Sequence, residues 1–530
     1  MTDKGPGPMQ DYALTVDRFL DHGAKWHGRA QVVTATGGAV RVIGYAGLRE
    51  RANRLSGALL DLGLAVGDKV ATLAWNTQHH LEVWYAAMGA GLVCHTLNPR
   101  LTTAQLAAMI NQAGDRVLAA GAGLQATALA LAAACPCIEQ IILLDDDQPE
   151  AAPSGAPVRA MEDLLTRHGR PVPWGRFDER SLAGLCFTSG TTGAPKGVGY
   201  THRSNYLHTL RSLQADAMAV TADDVVLIAV PMFHANAWGL PFAAPAVGAG
   251  MVLPGRAADG RSLAGLIDRH GVTVAVGVPT VWLGLLDHLD AVGGDTPSLQ
   301  RVIIGGSTCP DALLARMETR LGCTVQTSWG MTELSPLGTI SARSDKPGAA
   351  RGSGRPAMGL DLLLTDAAGA PLPEQRNVEG RLNVRGHSVV DAYFGAAESA
   401  LDADGWFDTG DLAIIDDEGN LTLAGRSKDL IKSGGEWINP VEIEEIVGAL
   451  PSVGLVAVIG STDPKWGERP LMVIEPAQGR DIDDGTLKAT LKGRVADWWI
   501  PDRIVRVSAM PLAATGKIDK TQLRATYGGA

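Results

Sequence analysis

Between Asp224 and Arg256 this chain of 530 residues carries no Asp, Glu, Lys or Arg. An uncharged stretch of that length belongs either in membrane hydrocarbon or in the interior of a large folded body. Pro231, Pro241, Pro245 and Pro254, with Gly239, Gly248, Gly250 and Gly255, would interrupt a spanning helix repeatedly, since each proline removes a backbone donor and clashes with the preceding turn. His234 and Asn236 would also need polar partners in lipid. The stretch therefore predicts buried strand and loop, with no transmembrane segment. Single cores stop growing beyond about 250–300 residues, so a chain this long divides into roughly three to four folding units.

Elsewhere, short apolar runs bounded by Gly or Pro alternate with helical stretches, the pattern of α/β layers. Asp224–Val230, Val272–Val278 and Leu299–Ile304 read as strands, the last closed by Gly305-Gly306-Ser307. Pro310 opens a helix through Arg320, with Leu313, Leu314 and Met317 at helical spacing and Gly322 as its stop; Thr324–Thr327 resumes extended structure. This succession predicts at least partly parallel sheet, whose ligands bind beyond the carboxyl ends of the strands. The last hundred residues differ. Val441–Leu450 and Thr486–Trp499 read as helices, and Val453–Ile459, Leu471–Ile474 and Arg503–Val507 as strands, with Gly425–Glu436 as the junction. There is no internal repeat and no coiled-coil heptad. The expected fold class is α/β, with layered α/β subdomains in a large N-terminal domain and a small α+β C-terminal domain.

Composition excludes several functions. Apolar residues make up 46% and charged residues 19%, which argues against disorder. With 46 Lys and Arg against 57 Asp and Glu, the formal charge is −11, and no long basic run offers a nucleic-acid surface. Small anionic ligands remain compatible, since a local pocket does not need global charge. Six cysteines are too sparse for a disulfide scaffold, and Cys135 and Cys137, separated by Pro136 alone, lack the C-x2-C spacing of zinc or redox sites. All six are expected to be buried, reduced thiols, which fits a cytoplasmic protein. Asp11, Asp17 and Asp21 interrupt the N-terminal stretch, so a signal peptide is not expected.

The sharpest local signal is Leu185-Cys186-Phe187-Thr188-Ser189-Gly190-Thr191-Thr192-Gly193-Ala194-Pro195-Lys196-Gly197. An apolar strand feeds hydroxyls and glycines that end in Lys-Gly. Seven of the ten residues from Thr188 to Gly197 are Ser, Thr or Gly, a supply of exposed N–H and O–H donors beside one cation that suits a polyphosphate. It is not a Walker A loop, because Pro195 stands where that pattern needs Gly and Gly197 where it needs Ser or Thr.

This loop resembles the phosphate-binding signature of the adenylate-forming superfamily, which includes acyl- and aryl-CoA synthetases, peptide-synthetase adenylation domains and firefly luciferase. Four more segments follow in that family's order. Trp329-Gly330-Met331-Thr332-Glu333 resembles its aromatic-Gly-x-Thr-Glu motif, and Trp406-Phe407-Asp408-Thr409-Gly410-Asp411 its Thr-Gly-Asp motif. Gly425-Arg426-Ser427-Lys428-Asp429 resembles its hinge, and Pro511 through Lys517 its C-terminal lysine motif. The resemblance implies an N-terminal domain over residues 1–426 and a mobile catalytic domain over 427–530.

Joining a carboxylate to the α-phosphorus of ATP brings two anions together, so the site needs cations and donors around the developing charge. By resemblance, Thr188, Ser189, Gly190, Thr191, Thr192, Gly193 and Lys196 hold the phosphates, with Thr332 donating to them. Glu333 is the implied Mg²⁺ ligand. Gly305, Gly306 and Ser307 line the adenine, and Trp329 stacks on it, followed by Gly330 and Met331. Asp411 accepts the ribose hydroxyls and Arg426 makes a second ribose contact. Lys517 bridges the incoming carboxylate and the α-phosphate, and Lys428 is the hinge about which the C-terminal domain turns between half-reactions. Ser433, Gly434, Gly435, Glu436 and Trp437 resemble the strand that lines the pantetheine tunnel of coenzyme A. His234 matches a position beside the acyl carboxylate, with Trp238, Gly277, Gly305, Gly330 and Met331 as further acyl-pocket candidates. His79, His80 and His95 form no recognisable metal pattern and are read as ordinary.

Ala74-Trp75-Asn76, His95 through Arg100, His234 through Gly239 and Lys432 through Ile438 look like bacterial medium-chain acyl-CoA synthetases and 3-methylmercaptopropionate-CoA ligases. That resemblance implies an acid, ATP and CoA as substrates, Mg²⁺ as the ion, and leaves room for a homodimer. Apart from His234 the pocket candidates carry no acid or base, which suits an apolar acyl tail. An aryl-acid CoA ligase, or a synthetase passing its acyl-adenylate to a carrier protein, are the alternatives. A P-loop NTPase conflicts with the missing Walker Gly, and luciferase-type oxygenation is the remaining option.

Overall fold

The computed structural model describes residues 9–37, 39–145, 148–188, 195–307, 309–343, 352–433, 436–477, 479–513 and 516–529. Among these residues the strands build four sheets. The first runs, in spatial order, through Val158–Ala160, Gln140–Leu143, Val117–Ala120, Lys69–Leu73, Val93–Leu97, Leu182–Phe187 and Gly197–Thr201, parallel except for the last pair. The second has at its centre Thr324–Gly330, Arg301–Ile304, Val274–Gly277, Val225–Ile228, Gly250–Leu253 and Gln31–Thr36, all parallel, with antiparallel strands at both edges. Parallel strands covered on both faces read as unbroken apolar runs, and Val302, Ile303 and Ile304 are all buried.

The helix Gln78–Gly89 lies between these two sheets and touches strands of both, with every residue buried. Most of its polar side chains have partners, as buried polar groups usually do, although Gln78 Oε1 has none. The His80 Nδ1–H donates to the Trp75 carbonyl at 2.9 Å, while Nε2 accepts from the Trp84 indole at 3.1 Å. Burial holds His80 uncharged, its pKa pushed down to about 4. Glu82 is paired with Arg51 at 2.8 Å. The other two histidines have partners too: His79 Nδ1 lies 2.9 Å from Asp145 and His95 Nδ1 2.7 Å from Asp115.

The uncharged stretch departs from expectation in one respect. It is buried, and it contains a helix, Leu240–Val247, despite Pro241 and Pro245. Pro241 sits in the first turn, where its missing N–H costs nothing. The lost Pro245 donor would have bonded the Pro241 carbonyl, which instead accepts the Tyr85 hydroxyl at 2.8 Å. Among the described residues no helix is long and apolar enough to cross a membrane.

The third sheet is an antiparallel meander of Leu360–Thr365, Glu379–Gly386, Phe407–Ile415 and Leu421–Arg426. The fourth contains Glu436–Ile438, Ile431–Ser433, Gly467–Pro476 and Val453–Asp463, with Arg503–Arg506 alongside. Its strands alternate side chains between two cores: Val458, Met472 and Ile474 pack with Ile443 and Leu487, whereas Ala457, Ile459, Leu471 and Val473 pack with Leu523. That is the period of two expected for a strand covered on both faces.

Two expectations need correction. The helix read over Thr486–Trp499 stops at Leu491, where Lys492 turns to ψ 129° ahead of Gly493 at φ +71°, and only a short 3₁₀ turn, Asp497–Trp499, follows. All six cysteines are free, yet Cys137 and Cys309 are only half-buried. Cys137 sits in a tight turn closed by the Ile138 N–H on the Cys135 carbonyl, and Cys309 lines the cleft described next.

Candidate active site

The carboxyl ends of the parallel strands, the meander and the C-terminal segment enclose a cleft of about 3300 Å³. Thr188, Lys196, His234, Trp238, Gly306, Ser307, Trp329, Gly330, Met331, Thr332, Glu333, Asp411, Arg426, Lys428 and Lys517 all line it. Residues separated by more than three hundred positions in sequence are thus gathered in one cavity.

The strands Leu182–Phe187 and Gly197–Thr201 form the hairpin that carries the hydroxyl-rich loop, closed by the Thr188 N–H on the Lys196 carbonyl at 2.9 Å. Ser189, Gly190, Thr191, Thr192 and Gly193 lie outside the described residues, as do Gly434 and Gly435. The Lys196 ammonium stands 4.6 Å from the centre of the Tyr393 ring. The Tyr393 hydroxyl donates to Glu333 Oε1 at 3.0 Å, so one tyrosine links the loop lysine to the buried carboxylate. Burial and the Glu333 charge raise the Tyr393 pKa, keeping it a donor. Thr332 and Glu333 belong to a single 3₁₀ turn, Thr332–Leu334, held by the Tyr200 hydroxyl on the Thr332 carbonyl at 2.9 Å.

Asp411 is 3% exposed. Its Oδ1 lies 2.7 Å from Arg426 Nε, and its Oδ2 accepts the Trp329 indole N–H at 2.9 Å. Burial raises its pKa above the usual carboxylate range, opposed by Arg426 and Trp329.

Lys517 enters from the C-terminal segment on a turn in which Gly516 adopts φ +82° and its carbonyl accepts the Thr280 hydroxyl at 3.2 Å. A Cβ on Gly306 would lie 3.8 Å from Lys517 Cε. Burial and the Arg426 charge bring the lysine pKa down to about 8, with Asp411 and Glu333 pulling the other way. The same ammonium, added to burial, brings His234 down to about 4, leaving a neutral imidazole beside a cation at neutral pH.

The segment after His234 is strained. Ala235, Asn236, Ala237 and Trp238 take φ of 45°, 55°, 46° and 56°, a left-handed run costing roughly 1–2 kcal/mol per residue. It sets the Trp238 ring against the 305–306 backbone, where a Cβ on Gly305 would lie 3.2 Å from that ring. Gly277 does not line the cleft: its open side faces Trp282, 2.9 Å from where a Cβ would stand, in a different core. Gly305 is likewise turned toward Ser328. Ser433, Glu436 and Trp437 lie off the cleft; Ser433 is buried beside Arg469 at 3.3 Å, and Trp437 is 52% exposed under the Lys432 ammonium. Tyr393, Tyr200 and Thr280 carried no motif in the sequence, and only the fold brings them to these positions.

The chain belongs to the AMP-binding enzyme family, whose model matches residues 19–394, and the family's C-terminal domain matches 442–517. It is 43% identical over 531 residues to a 3-methylmercaptopropionyl-CoA ligase of Ruegeria pomeroyi, covering 98% of each chain. A medium-chain-fatty-acid–CoA ligase of Ectopseudomonas oleovorans is 40% identical, with 98% of this chain and 97% of that one covered. Among solved structures, ATP-bound MatB from Rhodopseudomonas palustris superposes with a TM-score of 0.86 at 27% identity, covering 98% and 99% of the two chains.

Proposed function

We propose that this chain is an AMP-forming acyl-CoA synthetase, which converts a carboxylic acid to its acyl-adenylate with ATP and then to its CoA thioester. The observation that carries this reading is the placement of Lys517, from the far end of the chain, among Glu333, Asp411, Arg426 and His234. In the first half-reaction a carboxylate oxygen attacks the α-phosphorus and the bond to pyrophosphate breaks. Lys517 neutralises the two anions as they meet, Lys196 and Thr332 hold the leaving phosphates, and Asp411 with Arg426 fixes the ribose. Neutral His234 borders the acid without adding charge.

Among the described residues no three His, Cys, Asp or Glu converge on one point. A single buried carboxylate such as Glu333, oriented by Tyr393, fits Mg²⁺ shared with substrate phosphates, and that ion would supply charge neutralisation.

In the second half-reaction the thiolate of CoA attacks the acyl carbon and AMP leaves. Lys517 lines the cleft, whereas Ser433, Glu436 and Trp437 lie off it, so a turn of residues 427–530 about Lys428 would exchange one for the other. Trp238, Met331 and the apolar cleft wall suit an aliphatic or thioether tail, consistent with the names of the relatives. AMP release measured with CoA over a graded series of aliphatic, thioether and aryl acids tests this reading: activity should follow the apolar acids. ADP and orthophosphate as products would overturn it.

The lysine pKa carries a signed expectation. The cation is the working form, so kcat/KM for ATP in pyrophosphate exchange should fall as pH rises through about 8. His234, already neutral above about 4, adds no limb near neutrality. Residual activity of Lys517→Arg should lack the alkaline limb; a limb retained there assigns it to another group.

A further inference from the structure

Both oxygens of Asp411 are already bonded by the chain, one to Arg426 and one to Trp329. A carboxylate offers about four lone-pair sites. Two are filled, one on each oxygen, which leaves two on different oxygens, as many as a vicinal diol has hydroxyls. The indole that fills one of them cannot turn away. It is 5% exposed, a Cβ on Gly338 would lie 2.5 Å from its Cε3 and Cζ3, and Tyr200, Phe407 and Ala413 share its apolar cluster. On the other side, the Asp411 N–H is tied to the Thr409 hydroxyl at 3.1 Å. The packing of a tryptophan on one strand thus sets the plane of a carboxylate on another.

We propose that Trp329 is a positioning residue for nucleotide choice: its indole N–H orients Asp411 so that the two remaining lone-pair sites meet a ribose 2′,3′-diol and disfavour a 2′-deoxyribose. This rests on the reading of Asp411 as the ribose carboxylate. It is separate from a role for the indole face, because a phenylalanine would keep an aromatic face and lose the donor.

The test is Trp329→Phe, assayed for AMP formation with ATP and with 2′-deoxy-ATP. A hydrogen bond to a charged group is strong enough that the ratio of the two kcat/KM values should fall about tenfold, mainly through KM for ATP, with kcat within about threefold. The charged groups facing Asp411 are Arg426, Lys428 and Lys517. Losing the indole donor should let burial push the carboxyl higher, moving the acid limb of kcat/KM to higher pH. An unchanged ratio with an unmoved acid limb overturns the proposal. If the variant does not fold, the Trp329 indole N–H resonance of the unsubstituted enzyme gives the same answer: it should shift as Asp411 is protonated, and indifference to that titration overturns the proposal. Failure of the broader functional reading looks different, since the unsubstituted enzyme would then form no AMP from ATP and any acid.

Discussion

Lys517→Ala should lower acyl-adenylate formation by about 10²–10³-fold or more, the loss seen when a preorganised charge-stabilising group is removed from a transition state. Thioester formation from supplied acyl-AMP should be nearly spared. The reason is positional. The ammonium lies against the 305–306 turn and feels Glu333 and Asp411, a location useful only while two anions are being joined. On the proposed reading, the lysine has no part in the thioester step once the adenylate exists. The two half-reactions, measured separately, decide the matter, and equal losses in both would contradict the assignment. The largest cause of its low pKa is burial, so the variant also removes a desolvated cation and is not expected to unfold the protein.

The second large effect is expected for Glu333→Ala. Exchange of labelled pyrophosphate into ATP should fall by about a hundredfold at limiting Mg²⁺ and recover in part as the ion is raised, because substrate phosphates supply its other oxygens. Near-normal exchange at limiting Mg²⁺ would remove the metal role. The substitution also leaves the Tyr393 hydroxyl without its acceptor at 3.0 Å. Tyr393→Phe is the control, since it keeps the carboxylate and removes only its orientation.

Much of the candidate site was legible because the proposed adenylate chemistry would restrict residue type at fixed spacing. Thr332-Glu333, Thr409-Gly410-Asp411 and Thr515-Gly516-Lys517 stand in segments where few alternatives work, and Thr332, Glu333, Asp411 and Lys517 line one cleft. The α/β layering was legible for the same kind of reason, as Val274–Gly277 and residues 302–304 are apolar runs that a doubly covered sheet buries. What escaped depends on partners far away in sequence. Pro245 reads as a helix breaker, and only Tyr85, 156 positions from the Pro241 carbonyl it bonds, makes the helix acceptable. Tyr393 is one tyrosine in a loop, without spacing to mark it. Gly277 reads as a pocket glycine, but the room it makes is for Trp282. The bond from Trp329 to Asp411 spans 82 positions, and no periodicity connects a strand residue of one sheet to a meander of another.

The ion pairs of the C-terminal segment bear on how freely it turns. Arg524 with Asp429 and Lys520 with Glu444, each at 2.7 Å, both fall within residues 427–530, whereas the Thr280 hydroxyl on the Gly516 carbonyl reaches across to the rest of the chain. On the proposed division, those attachments ride along with the moving part, and an uncharged tether is what gives way. Rotation then leaves those two ion pairs intact, and the opposite charges it separates are those of Lys517 facing Glu333 and Asp411, so a bound substrate that changes the charge there biases the two orientations.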